Sequence, residues 1–99
     1  MDVKLINRTK EGELVLTGKL DNNTAPELEE IINQVADRFP TLILNCQDLS
    51  YISSAGLRVL KVAYMQTQAA GNALVVRNVR DSIKEILEMT GFMGVLNIE

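Results

Sequence analysis

Hydrophobic and polar positions along the chain fall into blocks whose period changes from strand-like to helix-like. The runs VKLINR and ELVLTG, residues 3–8 and 13–18, are rich in β-formers and are separated by the turn-like Lys10, Glu11 and Gly12. A Gly-containing connection of that length predicts a hairpin. Gly18 closes the second strand, and LDNNT, residues 20–24, is a polar loop. Helical spacing follows: Leu28, Ile31, Ile32, Val35 and Phe39 fall on one stripe. Thr24 and Glu27 have the spacing of a capping box, Pro26 suits a first turn, and Pro40 blocks continuation, which predicts a helix over 25–38. The apolar run LILNC, residues 42–46, has strand length. A polar turn over 48–54 then ends in Ser53 and Ser54, where a second helix begins and runs to about Ala70, with Gly71 and Asn72 as its stop. Residues 73–76 form a continuous β-type run, as in a strand covered on both sides. Residues 78–89 read as a shorter helix with Ile83, Ile86 and Leu87 inward and Gly91 as terminator, and residues 94–98 as a last short strand.

The resulting order, ββαβαβαβ, predicts one α/β domain over residues 1–99: a mixed, mostly parallel sheet that opens with a β-hairpin and continues through right-handed crossovers. Sites in open sheets of this kind lie outside the carboxyl ends of the strands. Loops 20–24 and 48–54 both follow strands and precede helices, so they are expected to meet at that end.

Composition narrows the chemistry. The 99 residues, 46% hydrophobic and 23% charged, have the balance of an ordinary globular domain. A net charge of −3 offers no electrostatic grip on nucleic acid or an anionic membrane surface. The N-terminal MDVKLINRTKEGE is too polar for a signal peptide, and no apolar run approaches the roughly 20 residues that span a bilayer. With a single cysteine, Cys46, no internal disulfide forms, and a reduced, cytoplasmic setting is expected; Cys46 itself reads as a small core residue. There is no histidine, so His-dependent nucleophilic catalysis is absent and a zinc site is not expected. Neither a dinucleotide fingerprint nor a P-loop occurs. No catalytic residue, metal ligand or cofactor is assigned.

What remains is the helix start at Ser53 and Ser54. Backbone N–H groups and the positive end of the helix dipole surround these hydroxyls, an environment that suits an anion or a phosphate, although most serines there only cap the helix. At about 100° per residue Ser54, Arg58, Lys61, Met65 and Gln68 share one face, and Gly56, Val59, Leu60, Ala63 and Ala70 the opposite one. The first face is either a solvated surface or a basic, partly apolar partner-binding stripe. Asp48 reads as a turn former, and Asp21, Asn22 and Asn23 form an Asx-rich loop.

The segment DLSYISSAGLRVL, residues 48–60, resembles the signature of STAS domains of the anti-sigma factor antagonist (anti-anti-sigma factor) class. The resemblance extends over GKLDNNTAPEL, AGNALVVRNV and MTGFMGVLNI, essentially the whole chain. It implies a small, non-enzymatic α/β domain that sequesters an anti-sigma factor of the GHKL serine-kinase type, is released when that kinase phosphorylates a serine at the start of the second helix, and is restored by a PP2C-type phosphatase. The acceptor falls on Ser54, with Ser53 as a competing hydroxyl. Asp21, with Asn22 and Asn23, falls in the partner-contacting loop, and Ser53, Ser54, Arg58, Lys61 and Met65 complete the expected partner surface. Arg58, one turn after Ser54, is placed to neutralise part of a phosphate. Ser53 stands where the best-known members carry aspartate, and Ala55 where Ser or Thr is frequent. The chain ends at Glu99, short of the extra C-terminal helix of many members. A second reading is a STAS module that recruits a partner in another signalling or transport complex without phosphorylation. A third, a small enzyme or nucleotide binder at the helix start, lacks any catalytic constellation.

Overall fold

The computed structural model describes residues 1–94 and 96–99. Its elements are β1 (Asp2–Asn7), β2 (Glu11–Leu20), α1 (Ala25–Val35), β3 (Thr41–Ile52), α2 (Ser54–Ala69), β4 (Ala73–Arg77), α3 (Asp81–Met89), a 3-10 turn (Phe92–Gly94) and β5 (Asn97–Ile98). The five strands lie in sequence order in one sheet. Among the described residues, β1–β2 pairs antiparallel and β2–β3, β3–β4 and β4–β5 pair parallel. This is the architecture expected from the pattern.

The helices pack on the sheet face that carries Leu14, Leu16, Leu42, Leu44, Leu74 and Val76, where Leu28, Ile32 and Val35 of α1, Val59, Leu60 and Ala63 of α2, and Ile83 and Leu87 of α3 complete the core. Alternation along the strands sends Glu13, Ile43 and Val75 to the opposite face, where they are also buried. The three successive buried residues of β4 therefore serve two faces of the sheet.

The hairpin turn is one step earlier than the sequence pattern predicts. Arg8 N–H donates to Glu11 O at 2.9 Å, and Glu11 and Gly12 are already in β2. Gly12 is needed for packing: a Cβ there would lie 2.4 Å from Cδ2 of Phe39. The Thr24–Glu27 capping box does not form. Thr24 has αR backbone angles and no side-chain cap bond, because its hydroxyl donates to Lys19 O at 2.8 Å and accepts from Asp21 N–H at 2.9 Å. Helix α1 ends at Val35, three residues before the expected boundary, in a turn that delivers Phe39 to the core.

The largest correction concerns β3. The segment expected to turn at 48–54 continues as strand to Ile52, and β2 continues with it to Leu20. Between the pairs Val15↔Asn45 and Thr17↔Asp48, and again between Gly18↔Leu49 and Lys19↔Tyr51, β3 contains one extra residue. Each bulge breaks the period of two that marks a strand in sequence. Buried Leu49 and Ile52 thus stand three apart, flanked by exposed Asp48, Ser50 and Tyr51. Asp48 is a strand residue here, not a turn former.

Helix α3 begins at Asp81, not 78. Asn78 has φ +61, donates its side-chain amide to Asn45 Oδ1 at 3.1 Å, and cannot open a right-handed helix from that conformation. The last strand is reduced to Asn97–Ile98: Gly94 closes the 3-10 turn, and Val95 lies outside the described residues.

One carboxylate is buried in the sheet. Glu13 accepts from Arg8 Nη1 at 2.8 Å and from Asn45 Nδ2 at 2.9 Å. The Asn45 bond, then Arg8, holds its carboxyl below the usual carboxylate range. A folded-state pKa below the unfolded value means that this contribution is present above about pH 4.3 and is lost as pH falls through the folded value. Chemical denaturation between pH 6 and 3 is expected to show a shallower loss of stability for Glu13→Gln than for the wild type. Equal slopes would exclude Glu13 as a source of acid sensitivity.

Candidate functional site

The long β2 and β3 bring their carboxyl ends together at Leu20 and Ile52, which pair in register. Ser53 N–H then donates to Leu20 O at 2.9 Å. The loop before α1 and the start of α2 are therefore tied by a backbone bond, and the two regions expected to meet do meet. Gly56 makes this closeness possible. A Cβ there would lie 2.7 Å from Leu20 Cγ, 2.8 Å from Ile52 Cγ1 and 3.0 Å from Leu20 O.

The two serines differ in what they do. Ser53 is the N-cap of α2: its backbone is extended, with φ −99 and ψ 177, and its Oγ accepts from Gly56 N–H at 3.3 Å. Ser54 is the first residue of the helix and is exposed, and no side-chain hydrogen bond holds its hydroxyl among the described residues. From Ser54 the exposed positions Arg58, Lys61, Met65 and Gln68 run down one face of α2, as helical spacing predicts. Met65 is 58% exposed. On the opposite face Gly56, Val59, Leu60 and Ala63 are buried, while Ala70, beyond the last helical residue, is exposed.

Asp21 organises its own loop. Its Oδ1 accepts from Asn23 N–H at 2.9 Å and Thr24 N–H at 3.2 Å, and its carbonyl accepts from Ala25 N–H at 2.8 Å. The Asn23 bond in particular lowers its pKa. Asp21 thus takes over the role at the start of α1 that the sequence pattern assigns to Thr24. Asn22 and Asn23 are exposed beside it.

Two residues at this end escape a reading by pattern. Tyr51 is 48% exposed and faces Lys19 across β2–β3. Its signal was an aromatic side chain inside a polar stretch. Glu29 of α1 meets Arg58 of α2, with Oε1 and Nη1 3.6 Å apart; this inter-helix pair has no signature in sequence. Among the described residues no group of three or more His, Cys, Asp or Glu could hold a metal ion, and no helix is long and apolar enough to cross a membrane.

Cys46 lies away from this site. It is 2% exposed, and burial pushes its thiol up to about 12, so the nucleophilic thiolate is scarce. Native protein is expected to leave a thiol-reactive chromogenic disulfide unconsumed, with one equivalent reacting after denaturation. Rapid reaction of the folded protein would contradict this burial.

A sequence profile of the STAS domain matches residues 3–99. The chain belongs to the STAS domain family. Within it, this STAS domain is 31% identical over 84 residues to BtrV of Bordetella bronchiseptica, a candidate anti-sigma factor antagonist, covering 84% of this chain and 72% of that protein. It is 25% identical to the anti-sigma-B factor antagonist of Staphylococcus aureus, covering 99% and 92% of the two chains. Among solved structures it resembles the anti-sigma factor antagonist SpoIIAA in its unphosphorylated form, with TM-score 0.79 at 17% identity and coverage of 99% and 87%. The resemblance to the phosphorylated form of SpoIIAA, the Bacillus cell fate determinant, has TM-score 0.76, again at 17% identity, with coverage of 99% and 91%. At that identity the likeness to SpoIIAA is one of fold.

Proposed function

We propose that this STAS domain is a cytoplasmic anti-sigma factor antagonist that works by partner switching. Without phosphate it binds an anti-sigma factor of the GHKL serine-kinase type through the end of the sheet formed by Asp21, Asn22, Asn23, Ser53 and Ser54 and along Arg58, Lys61 and Met65. The kinase transfers phosphate to Ser54: the Oγ–P bond forms, the bond from the γ-phosphorus of ATP to its bridging oxygen breaks, ADP leaves, and the hydroxyl proton passes to a base of the kinase. The phosphorylated antagonist lets go, and a PP2C-type phosphatase hydrolyses the ester. The domain itself is a binding module rather than a catalyst.

The observation that carries this reading is the division of labour at the start of α2. Ser53 is occupied as the cap, whereas Ser54 is exposed with its hydroxyl unengaged among the described residues. Serine in place of the family's aspartate keeps the cap, since both are good N-cap residues, and removes a negative charge beside the acceptor. The names of the curated relatives and the existence of SpoIIAA in two phosphorylation states support the same reading.

Protein recovered from its own cells and separated on a phosphate-affinity gel tests it, with mass spectrometry to locate the modification. Phosphate on residue 54, retained in Ser53→Ala and lost in Ser54→Ala, is expected. Phosphate on residue 53 alone would reassign the acceptor. Its absence under all growth and stress conditions would favour the reading in which the module recruits a partner without phosphorylation.

A further inference from the structure

We propose that Arg58 is the residue that reads the phosphate, exchanging its partner Glu29 on α1 for the phosphate on Ser54 and so opening the ion pair that bridges α1 and α2. The proposal rests on Ser54 as the acceptor and adds the response of the two helices to a phosphate at that position.

Three observations carry it. Residues four apart on a helix have Cβ atoms about 5–6 Å apart, and helical side chains lean toward the N-terminus. The Arg58 guanidinium, which now points to Glu29, therefore has Ser54 within its reach. Its present hold on Glu29 is loose: the N···O separation of 3.6 Å is beyond hydrogen-bond length, and the Arg58 side chain is 65% exposed. Glu29 Oε1, although buried, accepts no hydrogen bond among the described residues. A phosphate dianion provides three strong acceptor oxygens to a guanidinium fork, a stronger match than one distant carboxylate oxygen. Lys61, the other cation of the stripe, is seven residues from Ser54, three residues farther along the helix than Arg58.

The exchange changes two places at once. It cancels the positive charge at the head of the basic stripe, and it uncovers a carboxylate on α1. A partner that docks on cationic Arg58 then meets an anionic surface spanning both helices. Below that pair, the side-chain bond from Gln66 to Asn33 is left as the next polar link across the α1–α2 seam.

The test uses the full chain with phosphoserine incorporated at position 54 during translation, so no kinase is required. In a phosphorus-31 NMR titration the second phosphate pKa of the wild-type background is expected below the usual value of about 6. Arg58→Gln should raise it by about 0.2–0.7 pH unit, the size of an exposed ion pair, and Glu29→Gln should lower it, because Arg58 no longer has a competing partner. A double-mutant cycle on melting temperature gives an independent readout: Glu29 and Arg58 should be coupled by about 1–8 °C in the unmodified chain and uncoupled in the phosphoprotein. An unchanged phosphate pKa in Arg58→Gln overturns the proposal, as does 29–58 coupling that survives phosphorylation. Because phosphoserine is placed by translation, either negative result leaves Ser54 as the acceptor standing. Conversely, a failure to find phosphate on Ser54 in cells would not alter these measurements.

Discussion

A phosphate on Ser54 is expected to weaken binding to the proposed anti-sigma factor partner by at least two orders of magnitude while leaving the domain folded. The two halves of this expectation have different physical origins. At the first residue of α2, free backbone N–H groups and the helix dipole favour negative charge, so about −1.5 to −2 units of added charge do not oppose the fold. In the centre of an interface the same group is strongly hydrated and must lose water on docking. A penalty of about 3 kcal/mol corresponds to a hundredfold or more, at about 1.4 kcal/mol per tenfold. Calorimetric titration of the proposed anti-sigma factor partner with the chain carrying serine, alanine, aspartate or phosphoserine at position 54 measures the effect. Ser54→Ala should bind like the unmodified chain, Ser54→Asp should lose an intermediate amount because it carries one charge, and phosphoserine should lose most. Equal affinity for the serine and phosphoserine chains would remove Ser54 from the interface. A melting temperature lowered by many degrees in the phosphoprotein would show that release acts through unfolding instead.

Gly56→Ala is expected to lower the melting temperature by about 4–24 °C and to disturb the site from within. The added Cβ would come within 3.0 Å of Leu20 Cγ, Ile52 Cγ1 and Leu20 O. Leu20 and Ile52 are 0% and 3% exposed, so neither side chain can swing into solvent, and the third contact is a backbone carbonyl. Overpacking of this kind costs about 1–3 kcal/mol, and 1 kcal/mol corresponds to about 4–8 °C in a domain of this size. The strain falls on the Ser53–Leu20 backbone bond that ties α2 to the loop of Asp21. Partner affinity should therefore fall along with stability, whereas alanine at exposed Glu85 of α3 should change neither. Thermal melts and the same calorimetric titration check both. A Gly56→Ala variant with unchanged melting would mean that α2 shifts freely on the sheet.

The two predictions draw on different levels of organisation. Ser54 was legible from the chain: a polar segment ending in two serines at the onset of helical spacing marks a helix start, and the signature around it resembles one family. Helical spacing put Ser54 on the outer face and the signature made it the acceptor, but what each hydroxyl bonds was not legible, since both precede the same apolar stripe. It becomes visible only in backbone geometry, where Ser53 takes the extended cap conformation and Ser54 the first helical one. The outer face of α2 was predictable for a simple reason: a straight helix converts spacing into direction without help from the rest of the fold.

Prediction failed where pairing with a distant segment sets the conformation. Residues 48–52 look like a turn because two bulges break their alternation, and those bulges exist only against β2. Thr24 and Glu27 have the letters of a capping box, but the Thr24 hydroxyl bonds to Lys19 and Asp21 instead.

The sequence by itself determined the class of the fold, the order of its elements and the position of the exposed serine, because periodicity and helix punctuation are local properties. Tertiary structure decided which serine is spoken for, why position 56 holds glycine, and that Arg58 leans on Glu29. Each of these depends on an approach of a few ångströms between residues far apart in the chain, which no spacing within either segment records.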